Sequence, residues 1–214
     1  MNDCNVCFER HRMIWVDPGR WRDVIAGEPA LSGEPLVAGW AGAGWPLISR
    51  RAACSDEAAM AALGLPLPPA WGKGRVSLRV PPDAIVDDAP SPLLKLAAQA
   101  APVDWQETIR ALLDIDESVR CFGSLAWQYL TGLEYISETS DLDLLWRLDD
   151  AARATALSRQ IEIVAGHAPV CIDGELIAPS ANAVQWREWC NADAILLVKS
   201  AEGVRLLPRD EVFR

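Results

Sequence analysis

Ser140-Asp141-Leu142-Asp143-Leu144-Leu145-Trp146 is the stretch on which the reading of this chain turns. It follows a Gly123-Ser124 pair that closes the short apolar run Val119-Arg120-Cys121-Phe122, with sixteen residues between Ser124 and Asp141. In an extended strand residues i and i+2 share a face, so Asp141 and Asp143 are expected on one side and Leu142, Leu144 and Trp146 on the other, in a core. Two carboxylates on one side of a strand suit a hard divalent cation such as Mg2+ or Mn2+, which takes oxygen ligands and keeps positions for substrate phosphates and water. Gly123-Ser124, between a strand and a helix, gives a backbone turn that a phosphate can approach closely, with helix N-terminal N–H groups and the Ser124 hydroxyl as donors. Asp-x-Asp alone is commonly a solvated strand edge, and Gly-Ser alone a helix start. In this order, on two strands with a helix between them, they predict phosphoryl chemistry with metal ions.

The bulk of the sequence narrows the classes. The 214 residues are 50% hydrophobic, enough for one large domain or two small ones with a sizeable core. There is no apolar run of about eighteen residues, and Met1-Asn2-Asp3-Cys4 lacks the basic flank and apolar stretch of a signal peptide. The expectation is a cytoplasmic protein without membrane contact. Six cysteines are scattered along the chain, three of them in or beside apolar elements, as reduced core thiols are. Cys4-x2-Cys7 with His11 resembles half a zinc site, but no second pair completes it. His11 and His167 are the only histidines and neither lies near a nucleophile signature, which argues against Ser-His chemistry.

The formal net charge of −10 argues against general nucleic-acid binding, which depends on Lys and Arg neutralising phosphates. Residues 1–85 hold nine of the 20 basic and nine of the 30 acidic residues, so the whole excess of negative charge lies beyond residue 85. Positive charge in the first part clusters at Arg50-Arg51 and Lys73-x-Arg75-x3-Arg79, where anions could dock.

The fold class expected is α+β. Residues 1–85 read as a small α+β unit with strands over 12–16, 36–40, 45–50 and 75–80 and a helix over 55–63, which Ser55-Asp56-Glu57 starts and Gly64 and Pro66 stop. Pro81-Pro82, Asp87-Asp88 and Pro90-Ser91-Pro92 punctuate the middle of the chain, so 86–103 reads as a linker with at most a short helix. From 104 to 214, helices and strands alternate. Helices are expected over 104–113, 124–130, 150–164 and 186–190, and strands over 119–122, 141–148, 194–199 and 204–207. Two more strands, 169–172 and 175–178, flank Asp173-Gly174, a dipeptide that favours a type I′ hairpin turn.

A strand, Gly-Ser, a helix and then Asp-x-Asp on the next strand resembles the nucleotidyltransferase superfamily of the polymerase-beta type, with a longer spacing between the two motifs. The string Cys121-Phe122-Gly123-Ser124-Leu125-Ala126-Trp127-Gln128-Tyr129-Leu130-Thr131-Gly132-Leu133, with Ser140 to Leu145, is similar to one branch of it. That branch is the malonate decarboxylase holo-acyl-carrier-protein synthases, or phosphoribosyl-dephospho-CoA transferases. His11 to Trp15, Gly44 to Arg51, Gly64 to Pro68, Gly72 to Arg75, Asp173-Gly174-Glu175 and Trp186-Arg187-Glu188 extend the resemblance over nearly the whole chain. It implies a nucleotidyltransferase-like catalytic domain over 104–214, with 1–85 in carrier-protein or substrate contacts. It implies transfer of the 2′-(5″-phosphoribosyl)-3′-dephospho-CoA group from triphosphoribosyl-dephospho-CoA to a serine of the apo acyl carrier protein subunit of malonate decarboxylase, with diphosphate leaving.

On that reading Asp141 and Asp143 hold the metal ions, and Asp173 is the third carboxylate and the acceptor of the serine proton, with Glu175 as its competitor and a plain turn as the alternative. Gly123 and Ser124 cradle phosphates, Trp127 packs against the adenine or lines its pocket unless it is core like most of the tryptophans, and Lys199 reaches the triphosphate unless it is only the guard of a strand edge. Arg50, Arg51, Lys73 and Arg75 bind donor or carrier, or are ordinary surface charges. Two other functions compete: a nucleotidyltransferase acting on a small-molecule hydroxyl, and a catalytically silent assembly partner.

Overall fold

A computed structural model of the chain describes residues 8–26, 33–51, 60–72, 74–191, 194–201 and 203–214. The chain divides into two compact units, Met1–Pro90 and Ser91–Arg214, each of mixed helices and strands, as the α+β expectation requires.

The first unit is built on five antiparallel strands: β1 Met13–Val16, β2 Leu47–Ser49, β3 Ala61–Pro66, β4 Arg75–Val80 and β5 Ile85–Ala89. Their order in the sheet is β4-β3-β2-β1-β5. Strict alternation places Ala61, Leu63 and Leu65 of β3 and Leu78 and Val80 of β4 on one buried face. Helix α1, Pro18–Ala26, adds Trp21 and Ile25 to the core, and the Trp21 indole N–H donates to the Val37 carbonyl at 2.7 Å.

Three expectations fail in this unit. The apolar run after Pro35 is not a strand but helix α2, Pro35–Gly39, because proline at the first helical position presets the helical φ. Of the helix expected over 55–63, residues 55–59 lie outside the described residues, and 61–63 belong to β3. Residues 86–103 are not a free linker. Their first part is β5, paired with β1 through Met13 and Ala89, and from Ser91 onward the chain is packed into the second unit, where Leu94 and Ala97 of helix α3, Leu94–Ala97, are fully buried.

The second unit carries a six-stranded sheet in the order β11-β10-β9-β8-β7-β6. The strands are β6 Arg120–Cys121, β7 Leu142–Arg147, β8 Ile172–Ile177, β9 Ala183–Gln185, β10 Ile195–Lys199 and β11 Val204–Pro208. Its helices beyond α3 are α4 Gln106–Ile115, α5 Gly123–Thr131, α6 Ala151–Ala165 and α7 Trp186–Cys190. Every strand pairing is antiparallel except β7 with β8, which α6 joins as a parallel crossover. Asp150 caps α6 by accepting from the Arg153 N–H at 2.8 Å.

One face of this sheet is covered by helices. Leu142, Leu144 and Trp146 of β7 and Ile172 and Leu176 of β8 meet Ile109 and Leu112 of α4 and Leu157 and Ile161 of α6 in a continuous core. The opposite face bears Asp143 and Leu145 of β7 and Asp173, Glu175 and Ile177 of β8. It runs on into β10 and β11, where Ile195, Leu197, Val204 and Leu206 are exposed at 60%, 41%, 47% and 67%.

Asp173-Gly174 is not a hairpin turn, as its composition suggested, but the second and third residues of the continuous strand β8. Glycine stands at 174 because a Cβ there would meet the Trp146 ring at 2.5 Å and the Leu144 carbonyl oxygen at 2.9 Å. No helix among the described residues is long and apolar enough to cross a membrane. Since neither the ring nor the backbone oxygen can retreat without disturbing β7, Gly174→Ala is expected to cost about 1–3 kcal/mol, read as a lowered urea midpoint at unchanged slope.

Candidate active site

The Gly-Ser turn and the acidic strand meet at one point. Gly123 has φ of +61°, and a Cβ built on it would lie 1.8 Å from Asp143 Oδ2. Only glycine serves there, since both the backbone conformation and the space are closed to a side chain. The Phe122 N–H donates to the Asp143 carbonyl at 3.0 Å, which fastens the turn to β7. The Asp143 carboxylate therefore rests against the first residue of α5, where the helix dipole favours negative charge. Ser124 follows on the first turn of α5, and its hydroxyl lies 3.5 Å from that of Ser140.

Across the parallel ladder Asp143 is in register with Asp173, so these two carboxylates stand side by side on the open face, about 4.8 Å apart at the backbone. Asp173 Oδ1 accepts from the Gly174 N–H at 2.8 Å and from Gln185 Nε2 at 3.1 Å. The Gln185 amide cannot turn over, because its Oε1 accepts from the Arg187 and Glu188 N–H groups at 2.5 and 3.1 Å, capping α7. Both donors go to one oxygen of Asp173, Oδ1. Asp141 is exposed and lies one residue before β7 begins.

Glu175, the competitor for the third acidic position, is 4% exposed and binds Lys199 Nζ at 2.9 Å. The pair occupies the open face one step along β8 from Asp173, so Lys199 is held by a buried carboxylate rather than extended for a triphosphate. Trp127 is likewise not at a surface: its ring is 4% exposed and lies 6.2 Å from that of Tyr135, which corrects the expectation that it stacks on a base. In the first unit Arg50 donates to the Leu63 and Arg51 carbonyls. Arg51 and Arg75 are exposed. Lys73, like Cys4 and Cys7, lies outside the described residues.

Asp141, Asp143 and Asp173 are oxygen donors of the type that Mg2+ or Mn2+ prefers, and they are the residues that would hold such an ion. Asp143 and Asp173 are its fixed members, held by Gly123 on one side and Gln185 on the other. Among the described residues no three acidic, histidine or cysteine side chains are already gathered tightly enough to enclose an ion, which accords with the exposed position of Asp141 outside the strand. A donor set of two fixed carboxylates with a third at the rim fits a cation that shares its shell with substrate phosphates.

Sequence reading missed two residues. Gln185 gave no signal, because an isolated glutamine before a short helix carries no motif. Arg187, which appeared only within the resemblance, donates to the Ile172 carbonyl at 2.6 Å and lies 4.5 Å above the Trp186 ring, bracing the start of β8. Cys121 is next to the site in sequence but fully buried, and burial, with the Asp143 charge adding to it, pushes its thiol up to about 12. It is no nucleophile at neutral pH.

Comparison with known proteins identifies the family of the chain. Residues 93–210 match the family described as the phosphoribosyl-dephospho-CoA transferase MdcG C-terminal domain, and residues 9–90 match the corresponding N-terminal domain. Relatives named phosphoribosyl-dephospho-CoA transferase include one from Bradyrhizobium diazoefficiens, 40% identical over 94% of this chain and 91% of the relative. Another, from Xanthomonas campestris pv. campestris, is 36% identical over 95% of this chain and 96% of its own length. A third, from Pseudomonas putida, is 32% identical over 88% and 93%. No solved structure matches the chain.

The double role of Gln185 sets a first test of the site: Gln185→Ala removes the α7 cap and one of the two donors to Asp173, and its unfolding free energy is expected to fall by about 0.5–2 kcal/mol. Gln185→Glu, which keeps a capping oxygen but sets a second carboxylate oxygen against Asp173 Oδ1, is expected to recover little of that loss in the same denaturation experiment.

Proposed function

This chain belongs to the phosphoribosyl-dephospho-CoA transferase family and is a transferase; from that premise we propose that it moves the phosphoribosyl-dephospho-CoA group from a 5″-triphosphate donor onto a serine of the apo acyl carrier protein of malonate decarboxylase, in the cytoplasm. The observation that carries this reading is the in-register pair Asp143 and Asp173, set against a glycine turn that leads into a helix N-terminus. Such a face collects negative charge for a cation and, a few ångströms away, offers N–H donors to phosphate.

The step is an in-line displacement at the α-phosphorus. The serine oxygen forms the new P–O bond, the bond from the α-phosphorus to the oxygen bridging to the β-phosphate breaks, and diphosphate leaves with that electron pair. Asp141, Asp143 and Asp173 would hold Mg2+ or Mn2+, which when bound neutralises charge on the attacking, nonbridging and leaving oxygens. Ser124 and the N–H groups opening α5 bind the departing phosphates. Asp173 Oδ2, the oxygen that neither Gly174 nor Gln185 engages, takes the proton from the serine hydroxyl. Glu175 and Lys199 neutralise one another at the flank of the site and so keep Lys199 aimed along the sheet face.

Intact-mass measurement of the apo carrier protein, incubated with enzyme, Mg2+ and triphosphoribosyl-dephospho-CoA, tests the reading. A mass gain equal to the phosphoribosyl-dephospho-CoA group is expected, lowered by more than about 10²-fold in rate for Asp143→Asn; a gain only on a small hydroxyl compound overturns the choice of acceptor. Free Mn2+ measured by electron paramagnetic resonance separates the metal role from the reaction: Gln185→Ala is expected to weaken Mn2+ binding about 10–100-fold, and unchanged binding removes Asp173 from the donor set.

A further inference from the structure

Beside the carboxylates lies a cleft of about 490 Å³ that the transfer step itself does not use. It is within the size range of about 300–1,000 Å³ of small-molecule sites, and all of its walls come from the second unit. Trp105, Ile136, Pro169 and Val170 supply apolar surface. Ser137, Thr139 and Ser140 supply hydroxyls, and Asp104, Glu138 and Asp141 supply three carboxylates, with no cationic side chain among the lining residues.

That composition selects a ligand. A triphosphate is repelled by Asp104 and Glu138, which no lysine or arginine of the cleft offsets, whereas a flat, neutral ring with an amino group and a sugar with a free 3′-hydroxyl find apolar walls and acceptors. The cleft is also joined to the reaction centre. Asp141 belongs to both, and Ser140, in the cleft wall, lies 3.5 Å from the Ser124 hydroxyl and accepts from the Ser137 N–H at 2.9 Å. A donor whose phosphates lie on the α5 N-terminus therefore has its organic end at the mouth of the cleft.

Resting on the donor assigned above, we propose that this cleft is the nucleoside subsite: it receives the adenosine end of dephospho-CoA and excludes the triphosphate, and so fixes which way round the donor lies. The adenine amino group and the free ribose 3′-hydroxyl face the carboxylates and serines of loop 137–141, the ring lies against Ile136 and Pro169, and the diphosphate-pantetheine arm leaves through the open mouth.

Cys171 makes the proposal measurable, because it lines the cleft and is exposed, while Cys121 is fully buried with its thiol pushed up to about 12. The full-length enzyme is treated with iodoacetamide, and carbamidomethylation of each cysteine is followed by peptide mass spectrometry. Dephospho-CoA and adenosine are each expected to slow labelling of Cys171 at least about fivefold, inorganic triphosphate to leave it unchanged, and Cys121 to stay unlabelled throughout. Protection by inorganic triphosphate, or by the carrier protein but not by dephospho-CoA, overturns the proposal. So does an unchanged Cys171 rate under conditions where mass transfer to the carrier protein proceeds. The two readings fail separately: shielding of Cys171 by dephospho-CoA without any mass transfer removes the acceptor assignment and leaves the subsite in place.

Discussion

The parallel ladder between β7 and β8 is the constraint on which the second unit depends. Because Leu142 faces Ile172 and Asp143 faces Asp173, one register decides two things at once. It sends Leu144, Trp146 and Leu176 into the helix-covered core, and it lines up two half-buried acidic side chains on the opposite face. A slip by one residue would put carboxylates into the core and leucines into the site. Burial of unpaired carboxylates is far costlier than any gain in strand pairing, so the core holds the site in register. Gly174 enforces the same register from within, since only there does β8 leave room for the Trp146 ring.

Around that ladder, each acidic group has its own device. Asp143 is positioned by an absence, the missing side chain of Gly123, and by the turn that the Phe122 N–H ties to β7. Asp173 is positioned by two donors on one oxygen. Glu175, which shares the face with Asp173, is neutralised by Lys199 and kept from competing. Three carboxyl groups of one strand pair thus have three different electrostatic settings, although their sequence context, short acidic residues among aliphatic ones, is nearly the same.

Much of this was legible in the chain. The alternation Leu142-Asp143-Leu144 and the order of Gly-Ser and Asp-x-Asp fixed the strand, the helix and their meeting point, because period and turn residues act locally. What was not legible depended on distant partners. Asp173-Gly174 has the composition of a turn, and only Trp146, a residue on another strand, explains a glycine inside β8. Lys199 looked free until Glu175 appeared beneath it. Trp127 looked like a platform until Tyr135 covered it. The apolar run after Pro35 read as a strand, and proline at the first helical position made it a helix instead. Prolines around 81–92 were read as a linker, whereas they end one sheet and begin the next unit. Gln185 had no signature at all, since its importance comes from what its two amide atoms touch.

Helix α7 spans only five residues, and its first turn is closed by the same amide that steadies Asp173. Short helices fray readily, because few hydrogen bonds oppose the entropy of their ends. This one is pinned by Trp186 and Trp189, which enter the core, and that anchorage keeps the glutamine oriented toward the aspartate. Helix start and acidic strand are thereby joined through one side chain, so a change in either is passed to the other.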